Sequence, residues 1–173
     1  MSLYLYELVP AGAAARTIEE FGARAEKEGG VLIEAQVTTG ATRVFAITEF
    51  ADCRAPALPA PDLLAETVDG PHEVRLVGAD LAAIKAARPG AGYLVEWDIP
   101  AEIDMDTYLA RKKANAPKYA DVPEVSFLRT YVREDTAKCL CFYDAPDEAA
   151  VRRARDAVNT PVDRLHELAD PRI

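Results

Sequence analysis

Short segments from the first half of this sequence recur in its second half. Tyr4-Leu5-Tyr6-Glu7 returns as Tyr93-Leu94-Val95-Glu96, and Arg75-Leu76 returns as Arg164-Leu165. The interval of about 90 residues is long enough for one small domain. The 173-residue sequence therefore predicts two copies of one fold.

The first copy is predicted to have the element order βαββαβ. A Thr-x-x-Glu pattern that begins at Thr17 predicts a capped helix start, after which Ile18, Phe21 and Ala25 share one helical face. A second, short helix is expected over residues 62–67. Apolar and β-branched runs predict strands over residues 3–9, 31–38, 42–50 and 73–77.

The second copy repeats this order after a connecting helix over residues 81–88, which Asp80 is placed to cap. Strands are expected over 92–99, 125–133, 138–143 and 162–168, and helices over 105–116 and 146–158. The sequence thus predicts an α+β fold of tandem ferredoxin-like repeats, packed sheet to sheet as a pseudo-dimeric α+β barrel. The expected domains are residues 1–79 and 92–173, with a helical connector over 80–91.

The charge of the chain excludes some classes of partner. A net charge of −9 and a pI near 4.8 argue against nucleic acid and anionic membranes, which both need a basic face. The cluster Arg111-Lys112-Lys113 with Lys118 is a local exception; it is typical of a solvated helix face, with an anion site as the alternative. Because the sequence has no signal-like start and no long apolar run, we expect a soluble, cytoplasmic protein. A homo-oligomer is possible.

The strand periodicity predicts which side chains face the barrel interior. In the second hairpin these are Phe127, Arg129, Tyr131, Leu140 and Phe142, and in the first they are Leu32, Glu34, Gln36, Phe45 and Ile47. The opposite, helix-facing set is Leu128, Thr130, Val132, Cys139, Cys141 and Tyr143, matched by Ile33, Ala35, Val37, Val44, Ala46 and Thr48. The expected interior is apolar with a few polar groups, which is typical of small-molecule pockets.

We therefore interpret the chain as a small-molecule-binding protein with its pocket between the repeats. The candidate ligand-binding residues are Glu34, Gln36, Glu96, Arg129, Tyr131 and Phe142. The alternative is a cofactor-free isomerase or oxygenase-type enzyme, with Glu34 or Glu96 as the base and Tyr131 or Arg129 stabilising an oxyanion. The sequence does not decide whether the protein is an enzyme.

Acidic residues of the first strands recur with basic residues of the fourth strands. Because these strands are neighbours in this fold, Glu7 with Arg75 and Glu96 with Arg164 are predicted cross-strand ion pairs. His166 is expected on the face of Arg164. Solvated sheet-stabilising pairs and an acid-base site are both consistent with this pattern.

Cys139 and Cys141 lie two residues apart on one strand and, with His166, are candidate ligands for a soft metal ion. Cys53 and His72 are the other soft ligands, and they are scattered along the sequence. Buried core packing is the better account of the two thiols. The residues themselves predict no cofactor.

Three segments of the second copy resemble a bacterial domain family of unknown function, some members of which are called nickel-binding proteins. The segments are Thr130-Tyr131-Val132-Arg133-Glu134-Asp135, Cys141-Phe142-Tyr143-Asp144-Ala145-Pro146-Asp147-Glu148 and Pro161-Val162-Asp163-Arg164. The resemblance covers residues 92–168 and implies a ferredoxin-like α+β fold that pairs into barrels. It also implies nickel, with Tyr131, Cys141 and Tyr143 at matching positions. The sequence departs from the family at Ala154, where the resemblance implies a histidine.

Overall fold

The structure, a computed structural model, describes residues 1–51 and 54–169. The chain divides into two compact units. The first comprises Met1–Val74 and Asp80–Gly90, with the chain from Leu168 onward, and the second comprises Arg75–Ala79 and Ala91–Glu167. Each unit is described by itself below.

The first unit is built on an antiparallel sheet with the strand order β4-β1-β3-β2. Its elements are β1 (Ser2–Pro10), α1 (Ala14–Lys27), β2 (Gly30–Thr38), β3 (Val44–Phe50), the larger part of β4 (Ala65–Val77) and α2 (Leu81–Ala87). The predicted hairpin is confirmed as β2 and β3, and the N-cap at Asp80 is confirmed by a 3.0 Å hydrogen bond from the Ala83 amide. This order of four strands is that of a ferredoxin-like sheet.

Helix α1 covers one face of this sheet with the predicted apolar stripe. Phe21 and Ala25 are buried, Ile18 packs beside them, and the ring of Phe21 meets that of Tyr6 edge-on at 5.1 Å. The predicted start of the helix is wrong, because α1 begins at Ala14 without a side-chain cap. Thr17 lies inside the helix, where its hydroxyl donates to the carbonyl oxygen of Leu64 at 2.9 Å.

The predicted helix over residues 62–67 is also wrong. A single 3-10 turn spans Ala60–Leu63, and β4 begins directly after it at Ala65. The first residues of β4 pair with the end of β1, Val68 opposite Leu8 and Thr67 opposite Val9. Pairing with a neighbouring strand thus overrides the weak local preference of this short segment.

The second unit has the same strand order, β8-β5-β7-β6. Its elements are β5 (Tyr93–Asp98), α3 (Met105–Asn115), a 3-10 segment (Ala116–Asp121), β6 (Ser126–Arg133), β7 (Lys138–Asp144), α4 (Glu148–Ala157) and the larger part of β8 (Arg164–Ala169). Both units therefore show the ferredoxin-like arrangement that the sequence predicts.

Helices α3 and α4 cover one face of the second sheet, and each starts at an aspartate cap. Asp104 accepts a hydrogen bond from the Thr107 amide at 2.8 Å, and Asp147 accepts one from the Ala150 amide at 2.8 Å. These caps satisfy amides that the first helical turn leaves without partners. No helix in residues 1–51 and 54–169 is long and apolar enough to cross a membrane.

Two β-bulges correct the predicted sorting of side chains. The register shifts between Leu32 and Glu34 in β2, and between Phe127 and Arg129 in β6. Leu32 and Phe127 consequently pack against the helix-side cores, not on the opposite face as predicted. A bulge adds one residue to a strand and so changes which face the preceding side chains occupy.

Candidate functional site

A pocket opens between the helices and the sheet of the second unit. Its volume is about 40 Å³, which is room for a few water molecules or one small chemical group. The sheet contributes its helix-facing side chains, and α3, the 3-10 segment and α4 contribute the walls. The lining residues are Trp97, Tyr108, Arg111, Lys112, Asn115, Ala116, Tyr119, Phe127, Cys139, Cys141, Arg155, Val158 and Thr160.

Aromatic rings of the pocket are paired with cations from α3. The guanidinium of Arg111 lies 5.3 Å from the ring centre of Trp97, and Lys112 Nζ lies 4.4 Å from that of Phe127. Tyr119 stacks on Phe127 with ring centres 5.4 Å apart. These contacts hold two positive charges beside flat apolar walls.

Arg155 places a third positive charge in the pocket, and this one is buried. Only 2% of the residue is exposed. Its guanidinium donates to the Tyr143 hydroxyl at 3.1 Å and to the Pro161 carbonyl oxygen at 2.7 Å, whereas Nε has no hydrogen-bond partner. Both acceptors are neutral, and no carboxylate in the described ranges is among the hydrogen-bond partners of Arg155. A buried charge without a carboxylate partner is costly, so an anion in the pocket would stabilise it.

The two cysteines of β7 lie beside these cations. Both are buried, and their sulfur atoms are 3.9 Å apart. The Thr130 hydroxyl donates to Cys141 Sγ at 3.2 Å. The hydrogen bond from Cys139, together with the charges of Lys112 and Arg155, holds the pKa of the Cys141 thiol well below its usual range despite burial. Conversely, the Cys141 sulfur and burial raise the pKa of Cys139.

The opposite face of the same sheet carries a buried carboxylate with three cationic or hydrogen-bonding neighbours. Glu96 is fully buried and accepts hydrogen bonds from Lys138 at 2.7 Å, Arg164 at 2.9 Å and His166 at 2.8 Å. The predicted pair of Glu96 with Arg164 is thus confirmed. Burial alone would raise the pKa of Glu96, but hydrogen bonds from these neighbours outweigh it and lower the pKa to about 2. A carboxylate this acidic is a weak general base at neutral pH.

The second predicted ion pair, Glu7 with Arg75, is wrong. Arg75 instead makes two 2.9 Å hydrogen bonds to the carboxylate of Glu134. The register explains the difference, since Glu7 lies opposite Asp69 and Arg75 follows Val74 at the other end of the pairing.

The other predicted ligand residues are buried within their own units. Gln36 Nε2 donates to Glu34 Oε2 at 3.0 Å in the first unit. In the second unit, Phe142 lies under the guanidinium of Arg129 at 4.9 Å and meets the ring of Tyr131 edge-on at 6.0 Å. A ligand site that combines these residues stays a prediction.

The predicted metal ligands do not converge. Cys139 and Cys141 face the helices, whereas His166 lies on the other face of the sheet against Glu96. His72 is in the first unit beside Asp69 at 2.9 Å, and Cys53 lies outside the described residues. No group of three potential metal ligands occurs within residues 1–51 and 54–169. The described side chains therefore do not fit a nickel site.

Sequence reasoning missed the pocket residues Trp97, Tyr108, Tyr119 and Arg155. One signal was available: the buried face of α4 follows the spacing Ala150, Val151, Ala154, Arg155 and Val158, which places an arginine on an apolar stripe. The second signal was the basic cluster that includes Arg111 and Lys112, for which an anion site was the alternative interpretation.

A family model described as nickel responsive protein SCO4226-like matches residues 93–168. The resemblance of the second copy to this family is confirmed, with nearly the predicted boundaries. The match lies in the second half alone, so an internal duplication of the chain stays a prediction. Among curated proteins, none matches this sequence.

Solved structures support the fold class. SCO4226 from Streptomyces coelicolor A3(2) is 19% identical and covers 44% of this chain and 94% of its own, with a TM-score of 0.39. TA0507, a protein assigned as a chlorite dismutase, is 14% identical and covers 99% of this chain and 96% of its own, with a TM-score of 0.55. A protein of Lactobacillus acidophilus NCFM assigned as a monooxygenase is 13% identical and covers 99% of this chain and 95% of its own, with a TM-score of 0.50. The likeness to the last two confirms the α+β fold and, at these identities, the fold alone.

Proposed function

We propose that the protein binds a small anionic molecule with a flat apolar part, and that the pocket of the second unit holds its anionic group. The observation that carries this proposal is the buried guanidinium of Arg155, which lines the pocket without a carboxylate partner in the described chain. A bound anion would supply Arg155 with a counter-charge.

The charge of the lining supports an anion over a cation. Arg111, Lys112 and Arg155 are the charged side chains of the described lining, which contains no carboxylate. The chain as a whole carries a charge of −9, so this local excess of positive charge is not a property of the surface in general. Three cations around one small space attract a carboxylate, sulfonate or phosphate group.

The walls support a flat ligand. Trp97, Tyr119 and Phe127 contribute ring faces or edges, and α3 holds its cations over two of these rings. Apolar walls with a few placed polar groups are the usual composition of small-molecule sites. An aromatic carboxylate combines the two features.

Two other interpretations stand apart from this proposal. Nickel responsiveness belongs to the family that matches residues 93–168, but the donor atoms of this chain do not converge on an ion. The cofactor-free enzyme stays a prediction, and the low pKa of Glu96 weakens its role as the base.

Calorimetric titration with benzoate and benzamidine tests the proposal, because the two probes have similar size and opposite charge. We expect benzoate to bind and benzamidine to bind at least tenfold more weakly. Lys112→Ala should weaken benzoate binding about three- to tenfold, by analogy with the loss of one partly screened charge contact. Lys113→Ala is the matched control, since Lys113 is exposed and does not line the pocket.

Equal affinity for the two probes, or equal effects of the two lysine substitutions, would contradict the proposal. The folded state of each variant is checked by its unfolding midpoint in urea.

A further inference from the structure

We propose that Tyr119 is a specificity-determining residue of the pocket, which donates a hydrogen bond from its hydroxyl group to the bound anion and thereby favours carboxylates over sulfonates. This inference rests on the proposed function, because it concerns the same pocket of the second unit. It adds a hydrogen-bond donor to that site and narrows the class of ligand.

The hydroxyl group of Tyr143 lies in the interior of the second unit, where the residue is fully buried. Within residues 1–51 and 54–169 this hydroxyl has two hydrogen-bond partners, the guanidinium of Arg155 at 3.1 Å and the hydroxyl of Tyr119 at 2.7 Å. A guanidinium can only donate, so Tyr143 accepts in the first of these bonds. The proton of Tyr143 is therefore left for the second bond.

The bond between the two tyrosines runs from Tyr143 to Tyr119. If Tyr119 were the donor, the Tyr143 oxygen would accept twice, and its own proton would be buried without an acceptor. Leaving a buried donor unsatisfied costs more than a typical hydrogen bond contributes. Tyr119 is only partly buried, so its proton can reach solvent or a ligand. Tyr143 is therefore the donor and Tyr119 the acceptor.

The proton of Tyr119 is thus available to a molecule in the pocket. Tyr119 and Arg155 both line this pocket, and Nε of Arg155 is buried without a hydrogen-bond partner. Burial raises the pKa of Tyr119 to about 12, although Tyr143 and Arg155 act in the opposite direction. The hydroxyl consequently keeps its proton at neutral pH. A carboxylate has an acceptor oxygen for each of these two donors.

A hydrogen-bond donor distinguishes anions that positive charge alone does not. A carboxylate shares its negative charge between two oxygens, whereas a sulfonate spreads the same charge over three and is the weaker acceptor. Arg111 and Lys112 attract both anions similarly, because the two anions carry equal charge. The hydroxyl of Tyr119 forms the stronger bond with the stronger acceptor, so the pocket should prefer the carboxylate.

The hydroxyl of Tyr119 can be removed without removing the ring. The ring stacks on that of Phe127, with an angle of 9° between the two planes, and Tyr119→Phe retains this part of the apolar wall. Tyr93→Phe is the matched control, since Tyr93 belongs to the same unit but does not line the pocket.

Calorimetric titration of the wild type and both variants with benzoate and benzenesulfonate tests the inference. The wild type should bind benzoate about threefold or more tightly than benzenesulfonate. Tyr119→Phe should weaken benzoate binding about tenfold, as expected for the loss of one hydrogen bond to a charged acceptor, and benzenesulfonate binding less than about threefold. Tyr93→Phe should bind both anions like the wild type. Unfolding midpoints in urea verify that the variants are folded.

Each outcome has a distinct meaning. Equal affinity of the wild type for the two anions, or unchanged benzoate binding by Tyr119→Phe, would overturn the role of the hydroxyl and leave the proposed anion pocket standing. An equal loss for both anions in Tyr119→Phe would also overturn it, because the hydroxyl would then support the pocket without distinguishing ligands. A wild type that binds neither anion would contradict the proposed function and this inference together.

Discussion

Glu96 shows how a single buried carboxylate is stabilised in the second unit. It accepts hydrogen bonds from Lys138, Arg164 and His166, and Arg164 also donates two bonds to Asp98. The position of the two residues on neighbouring strands predicted the pairing with Arg164 but not the burial, because burial depends on what covers the sheet face. The same residue was a candidate base, and its environment makes it acidic instead.

Replacing Glu96 with Gln should destabilise the protein in a pH-dependent way. A pKa lowered to about 2 means that the ionised carboxylate stabilises the fold fully above the unfolded pKa of about 4.3 and loses this effect as pH falls towards 2. At pH 7 we expect Glu96→Gln to lower the free energy of unfolding by on the order of 3 kcal/mol. Urea unfolding at pH 7 and pH 2.5 measures the difference.

The stability gap between the wild type and Glu96→Gln should shrink strongly at the lower pH. Glu102→Gln, at an exposed position of the same unit, should unfold like the wild type at both values. A gap that stays constant with pH would contradict the assigned role of the carboxylate.

At the scale of elements, α4 has a capping aspartate at its start and a pocket residue on its buried face. Asp147 caps its first turn, and Arg155 lies two turns further on the buried face. The helix was predicted over residues 146–158 with Pro146 in its first turn, but it begins two residues later at Glu148, and Asp147 is its N-cap. The bulges in β2 and β6 were not predicted, because one extra residue in a strand leaves no clear mark in an apolar run.

Removing the cap of α4 should lower the stability of the protein. Asp147→Ala leaves the Ala150 amide without its 2.8 Å partner, and we expect a loss of about 1 kcal/mol in the free energy of unfolding. Asp147→Asn keeps an acceptor and should restore most of it. Urea unfolding of the two variants checks this; equal losses would show that the cap is not the cause.

A second element-scale prediction concerns the start of β2. A side chain at Gly30 would place its Cβ about 2.5 Å from the buried ring of Phe50, which β3 and Tyr4 hold in place. Gly30→Ala should therefore destabilise the first unit by about 1–3 kcal/mol. Gly12→Ala is the control, because its Cβ would meet no atom within 4 Å; thermal unfolding of both compares the two sites.

At the scale of the whole molecule, the two units share one strand order, and solved structures of the same fold cover 99% of the chain. The repeat in the sequence was sufficient to predict this architecture. The pocket could not be predicted in the same way, because it depends on how α3, the 3-10 segment and α4 leave space above the sheet. Residues that approach from three elements carry no common spacing in the sequence.

The net charge of −9 and the cationic pocket make opposite predictions for ligand choice. If the field of the whole molecule dominated, benzamidine would be favoured; if the pocket dominates, benzoate is. Raising the salt concentration from about 0.05 M to about 0.5 M should weaken benzoate binding a few-fold without abolishing it, since Arg155 is buried and poorly screened. Loss of all binding in high salt would show that surface charges alone attract the anion.

The most direct test of the anion pocket is to locate a bound anion in a crystal of the protein soaked with 4-bromobenzoate. The bromine atom gives an anomalous signal that marks its position. We expect one peak at the pocket of the second unit, with the carboxylate directed towards Arg155. A peak elsewhere, or no peak at concentrations that saturate the calorimetric titration, would contradict the pocket as the binding site.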